Sequence, residues 1–354
     1  MAGDKRIWEV IISFCICALL FQTHFFPWLS YVSLDLLFKS RGIKETSQSI
    51  VIVGIDEQSL EKYGPWPFPR STHALLLEQL KDAKVIGFDL IFSHPDSEDL
   101  KLAEAIDSSP PVAMALATNY QGKVLKPVNI FVDRTKLGHI ETELGTDGII
   151  RRIQLHKLNV PVLAAAMVDA GGVNSQGNSP DSGPGRLINF YGSEFTFLYL
   201  SYSDVLEGEY RHQFFEDRYV LIGSKALALG DVHITPFSKK HPVPGVEVQA
   251  TILNNILDNS FLRELNWLVW TLSLTCFVVL VWLWSNKNET QNAIICIVIG
   301  TLLTILSVVL FQFNYVLNVG FPLFVILVSY LSHSIFWWVK ITTGMIKEIR
   351  VLQD

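Results

Sequence analysis

The chain predicts an extracytoplasmic α/β domain with a largely parallel central sheet, attached to four transmembrane α-helices. Two patterns lead to this. Four long apolar segments without Lys, Arg, Asp or Glu enclose one polar block, with one segment before it and three after it. Inside the block, β-branched apolar runs alternate with helical periodicity, which is the pattern of βαβ units.

A helix needs roughly 20 apolar residues to cross the hydrocarbon core. The candidate spans run from about Val10 to Leu29, Trp267 to Trp284, Ala293 to Phe313 and Val319 to Val339. Eight of the nine tryptophans lie in or beside them, as expected at membrane interfaces. The first segment reads as an uncleaved anchor: it is long for a signal peptide, and His24-Phe25-Phe26-Pro27-Trp28 lacks the small residues of a cleavage site. Lys5 and Arg6 precede the first span, and Lys340, Lys347 and Arg350 follow the last. The positive-inside rule then places residues 1–9 and 340–354 in the cytoplasm and the block of residues 40–263 outside, in the periplasm of a bacterium.

Composition agrees. All four cysteines, Cys15, Cys17, Cys276 and Cys296, fall in the spans, so the exported block carries no thiol to misoxidise. The block holds the whole net charge of −6, which argues against nucleic acid as a partner and leaves membrane lipid to the spans.

Along the block, Gln48 to Ile55 reads as a buried strand ending at Asp56. Glu57 to Tyr63 is a short helix stopped by Gly64-Pro65, and Ser71 is expected to cap an amphipathic helix reaching about Ala83. Lys84 to Phe88 is a strand ending at Asp89. A helix over Glu98 to Ile106 and strands over Pro111 to Thr118 and Ile149 to Leu155 follow. Next come a helix over Val162 to Ala170, a Gly/Ser/Asn/Pro-rich loop from Asn174 to Gly185, strands over Leu187 to Tyr191 and Tyr219 to Ile222, and a helix from Gly245 to Leu257.

Open α/β sheets bind ligands at the carboxyl ends of their strands. Asp56, Asp89, Ser224 and Lys225 sit there, and Asp231 and Glu247 follow shortly. Converging carboxylates suit a divalent cation; Asp and Ser also serve as caps and turn formers. Trp66 and Arg70 belong to the proline-stiffened segment Tyr63 to Arg70, which suits either recognition of a small molecule or a lid over the domain's own core. Arg151 and Arg152 point to opposite faces of their strand, so one at most lines a pocket; an ion pair is the alternative role. No Walker, GxGxxG, GxSxG or HExxH pattern is present, so no cofactor or metal site is assigned. Beyond Val339, the apolar residues Ile341, Met345, Ile349 and Leu352 recur at helical spacing, as in a transmission helix entering a cytoplasmic partner.

Five segments, VIVGIDEQSLEKYGPWPFPR, KVIGFDLIF, TDGIIRR, VLIGSKALALGDVHITPF and PGVEVQA, together resemble the type-2 CHASE family of extracellular domains associated with cyclases and histidine kinases. The resemblance covers about Ile50 to Asn255 and extends to the arrangement of one span before and three after. It implies a non-enzymatic sensory receptor in a bacterial inner (plasma) membrane. An unknown small-molecule or envelope ligand would be sensed outside, and a cytoplasmic cyclase, histidine kinase or diguanylate cyclase would respond inside. Lys225 stands where the family has a small or hydroxylated residue, and Gln249 where it has His. A homodimer is expected, since paired helices transmit small shifts. The competing readings are a non-catalytic envelope scaffold and an exported metal-dependent hydrolase using Asp56 and Asp89.

Overall fold

The computed structural model describes residues 25–175, 185–237, 242–283 and 289–353. It divides into two compact units, Gly42–Leu262 and a second one formed by the segments on either side of it.

The Gly42–Leu262 unit is built on a seven-stranded sheet. Strand β1 (Ile50–Ile55) is fully buried, as six consecutive apolar or glycine residues require. Helix α1 (Phe25–Arg41) precedes it in the chain. After β1 come α2 (Glu57–Tyr63), α3 (Arg70–Gln79), β2 (Val85–Asp89), α4 (Asp99–Ser108) and β3 (Val112–Thr118). The chain then forms β4 (Val124–Leu125), β5 (Lys136–His139), β6 (Ile150–Ile153) and α5 (Leu163–Ala170). It returns through β7 (Leu198–Ser201), α6 (Tyr202–Leu206), β8 (Tyr219–Ser224) and α7 (Gly245–Leu257). The spatial order is β7-β1-β8-β2-β3, with β5 on the outer side of β3; all these pairs are parallel, and β4 folds back antiparallel on the end of β3.

Side chains alternate across the strands. Val51, Val53 and Ile55 of β1, Ile86 and Phe88 of β2 and Val220 and Ile222 of β8 share one face with Leu76, Leu77, Leu102, Tyr202 and Phe215. The opposite face receives α5 and α7 at close range. A Cβ on Gly87 would lie 2.3 Å from Met167 Sδ, and one on Gly223 would lie 2.6 Å from Val246 Cβ. Adjacent strands β1 and β8 lead to helices on opposite sides of the sheet, the arrangement whose carboxyl-end crevice binds ligands in open α/β sheets.

Several sequence expectations are corrected. Helix α3 starts behind Pro69 and ends at Gln79; Ser71 lies in its first turn and gives its hydroxyl and N–H to Glu98. Of the segment Leu187 to Tyr191, only Leu187 pairs as strand, together with Arg186. The Asn189 backbone is taken instead by the Asn255 side chain of α7, in both directions. Strands β5 and β7 were not anticipated, being only four residues each. Of the mobile loop expected over Asn174 to Gly185, residues 176–184 lie outside the described residues.

In the second unit, α1 is joined by α8 (Asn266–Leu283), α9 (Glu289–Gln312) and α10 (Gly320–Gln353). Residues 289–312 and 320–346 are helices long and apolar enough to cross a membrane. Ile297 and Leu302 of α9 point outward, 67% and 60% exposed, as lipid-facing residues do. Val269, Cys276, Leu280, Cys296, Leu303 and Ile326 pack together inside. The predicted fourth span and the segment after it form one unbroken helix, α10. Most of the predicted first span lies outside the described residues, which begin within it at Phe25.

Candidate functional site

Hydrogen bonding across the sheet aligns Gly54 of β1, Gly223 of β8 and Asp89 of β2 in one row. The row faces α7. Two glycines beside a carboxylate leave room over the sheet, and the space is filled from above. A Cβ on Gly54 would come within 2.8 Å of Lys225 Cβ and 3.4 Å of Tyr199 Cδ1. Substituting any side chain here would displace the residues that form the cluster.

Asp56 follows β1 and is 8% exposed. Its Oδ1 accepts the Ser59 N–H at 3.1 Å and the Ser59 and Ser201 hydroxyls at 2.6 and 3.0 Å, capping α2. Its Oδ2 lies 3.8 Å from Lys225 Nζ. The Lys225 ammonium in turn sits 5.5 Å from the Phe195 ring centre and 5.6 Å from that of Tyr199. The Tyr199 hydroxyl donates to Glu247 Oε2 at 3.0 Å. Glu247 also accepts the backbone N–H groups of Phe195 and Thr196 at 2.9 and 2.7 Å. Burial raises the Glu247 carboxyl above its ordinary value, against the pull of these three donors. Burial also pushes the Tyr199 phenol well up, and the charges of Glu247 and Asp89 add to it.

Asp89 is buried, and its Oδ1 has no hydrogen-bond partner among the described residues. Burial drives its carboxyl well above the usual range, and the nearby Asp231 charge adds to the shift. Asp231 is more open. It faces the Cα of Gly245, where a Cβ would meet its carboxylate at 2.4 Å, and lies 3.4 Å from His233 Nε2. Five of the eight residues singled out from the sequence thus meet at the crevice: Asp56, Asp89, Lys225, Asp231 and Glu247.

The other three take part in other networks. Trp66 packs edge-on against Phe68 and His73, at 5.6 and 5.9 Å between ring centres. His73 is wholly buried and shares a hydrogen bond with the Tyr202 hydroxyl at 2.9 Å; burial lowers its pKa to about 3. Arg70 pairs with Asp99 at 3.0 Å, donates to the His94 carbonyl and lies over the Phe92 ring. Trp66 and Arg70 therefore close one end of the domain's own core. Arg151 forms a two-pronged pair with Asp147, at 2.9 and 2.8 Å.

Sequence reasoning missed Phe195, Tyr199 and Ser201. The run FTFLYLSY is rich in strand formers, but its apolar residues fall at both parities and assign no face. Among the described residues, no three His, Cys, Asp or Glu side chains come together as a metal would need. Two cavities, of about 410 and 370 Å³, open elsewhere, beside Lys136, Pro161 and Asp169 and beside Gln79, Ala105 and His212.

Compared with known proteins, residues 11–286 match the family described as the CHASE2 domain. No curated protein and no solved structure matches the chain.

Proposed function

The chain belongs to the CHASE2 domain family of extracellular sensory domains, and on that ground we propose that it is a multi-pass receptor module whose sensing site is the carboxyl-end crevice of its sheet. The observation that carries this is the meeting of Asp56, Lys225, Tyr199, Glu247 and Asp89 over the Gly54–Gly223 row. Buried carboxylates, one with an unpartnered oxygen, are unfavourable in a purely structural role. They also sit where open α/β sheets bind ligands.

In this reading the α/β unit lies outside the cell, in a bacterial periplasm. The four spans extend to α1 and α8, both termini are cytoplasmic, and the end of α10 engages a cytoplasmic cyclase, histidine kinase or diguanylate cyclase, with the chain acting as a homodimer. A ligand drives signalling only through its differential affinity for two states of the module. The hydrolase reading lacks a three-ligand group among the described residues. Asp56 is occupied as a helix cap and as the partner of Lys225.

The test is purification from native membranes in mild detergent, with mass identification of what accompanies the chain. A cyclase or kinase, associated or on the same polypeptide, supports the receptor reading. Association with envelope-assembly proteins alone overturns it in favour of a scaffold.

A further inference from the structure

Lys225 occupies a place built for a cation. Its ammonium is within 6 Å of two aromatic ring centres, Phe195 at 5.5 Å and Tyr199 at 5.6 Å, with the Asp56 carboxylate at 3.8 Å. The rings stand edge-to-face, 5.3 Å apart and inclined at 81°, so that they form two walls of a corner. One buried carboxylate holds these walls. Glu247 binds the Tyr199 hydroxyl and the Phe195 and Thr196 N–H groups. Phe195 adopts a φ of 59°, a left-handed conformation that bulky residues avoid. Its ring is nevertheless presented outward, 52% exposed. An exposed aromatic ring on a strained backbone, fixed by a buried carboxylate, is an arrangement that folding alone does not require.

Electrostatics select the sign of the ligand. The Lys225 ammonium is paired with the Asp56 carboxylate, and the Glu247 carboxylate lies behind the aromatic walls, on the Tyr199 hydroxyl and the Phe195 N–H. Without the Lys225 ammonium, two aromatic faces and the Asp56 carboxylate remain, a setting that repels anions and attracts organic cations. Lys225 can be displaced: its stem packs over Gly54, but the chain is flexible and 29% exposed, so the ammonium has a route to solvent.

Resting on the reading of the crevice as the sensing site, we propose that Phe195, Tyr199 and Asp56 form an organic-ammonium cage, that Lys225 is its internal occupant, and that the sensed ligand is an alkylammonium compound that displaces it. Displacement releases Lys225 from Asp56, at the junction of β1 and α2. This converts occupancy into a local change of charge pairing.

The experiment uses the full chain in lipid nanodiscs, with tetramethylammonium as probe and tert-butyl alcohol as its neutral counterpart, measured by calorimetry. A competing internal occupant lowers apparent affinity by the fraction of time the cage is open. Lys225→Ala is therefore expected to bind tetramethylammonium about tenfold more tightly than the wild type, if the cage is open roughly a tenth of the time. Adding Phe195→Ala to it should abolish the gain, and the alcohol should bind to neither. Lys225→Ser serves if the alanine variant folds poorly. Equal affinity of wild type and variant, with unchanged melting, overturns the proposal. If that variant still alters hydrogen exchange in residues 340–353, the ligand class is wrong and the sensing site stands. If exchange there is also unchanged, both are wrong.

Discussion

The Lys225 ammonium lies 3.8 Å from the Asp56 carboxylate, tying the residue after β8 to the residue after β1. This bridge spans the mouth of the crevice, between strands whose following helices go to opposite sides of the sheet. With both side chains largely shielded, at 29% and 12% exposure, the pair can report on a bound cation as a surface pair would not.

Glu247 organises the wall of the site. Glu247→Ala leaves the Phe195 and Thr196 N–H groups and the Tyr199 hydroxyl without their acceptor. Each unsatisfied buried group costs about 1–3 kcal/mol. The denaturation midpoint should fall by an amount equivalent to at least one such group, and Tyr199 fluorescence should become more quenchable. A midpoint equal to wild type would show that these bonds are replaced by water.

Asp89 gives stability a pH signature. Its folded-state pKa lies above its ordinary value of 3.8, so the native state holds a proton there that the unfolded state has lost. Its contribution is present below that value and is lost as pH rises through the folded pKa. Asp89→Asn, which keeps the shape without the charge, should flatten this decline and raise the neutral-pH melting temperature. The nearby Asp231 charge adds to the Asp89 shift. An unchanged profile would remove Asp89 as its source.

The glycines that seat α5 and α7 on the sheet differ in how firmly they are required. A methyl on Gly223 meets Val246 Cβ, a stiff β-branched atom next to the backbone; one on Gly87 meets the flexible thioether end of Met167. Gly223→Ala should cost about 1–3 kcal/mol as overpacking, and Gly87→Ala less. Equal midpoints for the two variants would contradict the rigid seat of α7 on β8.

Arg70 is a structural residue in this account. Arg70→Ala strands Asp99, whose side chain is 12% exposed, and removes the cover from Phe92. The loss should reach about 3 kcal/mol in unfolding free energy, as for other broken buried pairs, with tetramethylammonium binding by the Lys225→Ala background unaffected. A lost cation response at unchanged stability would return Arg70 to the site.

The parts of the fold legible from sequence are those that local chemistry determines. β1, β2 and β8 are β-branched runs long enough to be buried on both faces. Helix α7 shows in its apolar periodicity and in Gly245, which the Asp231 carboxylate requires. The carboxyl-end rule singled out Asp56, Asp89 and Lys225, which do stand at the ends of β1, β2 and β8. For Trp66, Arg70 and Arg151 the sequence left two roles open, and the structure places them in the alternative one, internal packing and ion pairing. Phe195 and Tyr199 stayed hidden because β7 is four residues long and reaches β1 only through pairing across about 145 positions of chain, which no local pattern records.

A sensing crevice must communicate with the end of α10. Hydrogen exchange of the full chain in nanodiscs, comparing wild type with Asp56→Asn, tests this directly, since that substitution releases Lys225 without adding bulk. Altered protection is expected both around residues 193–201 and in residues 340–353. Changes confined to residues 42–262 would contradict it, leaving a binding domain that does not signal through its own helices.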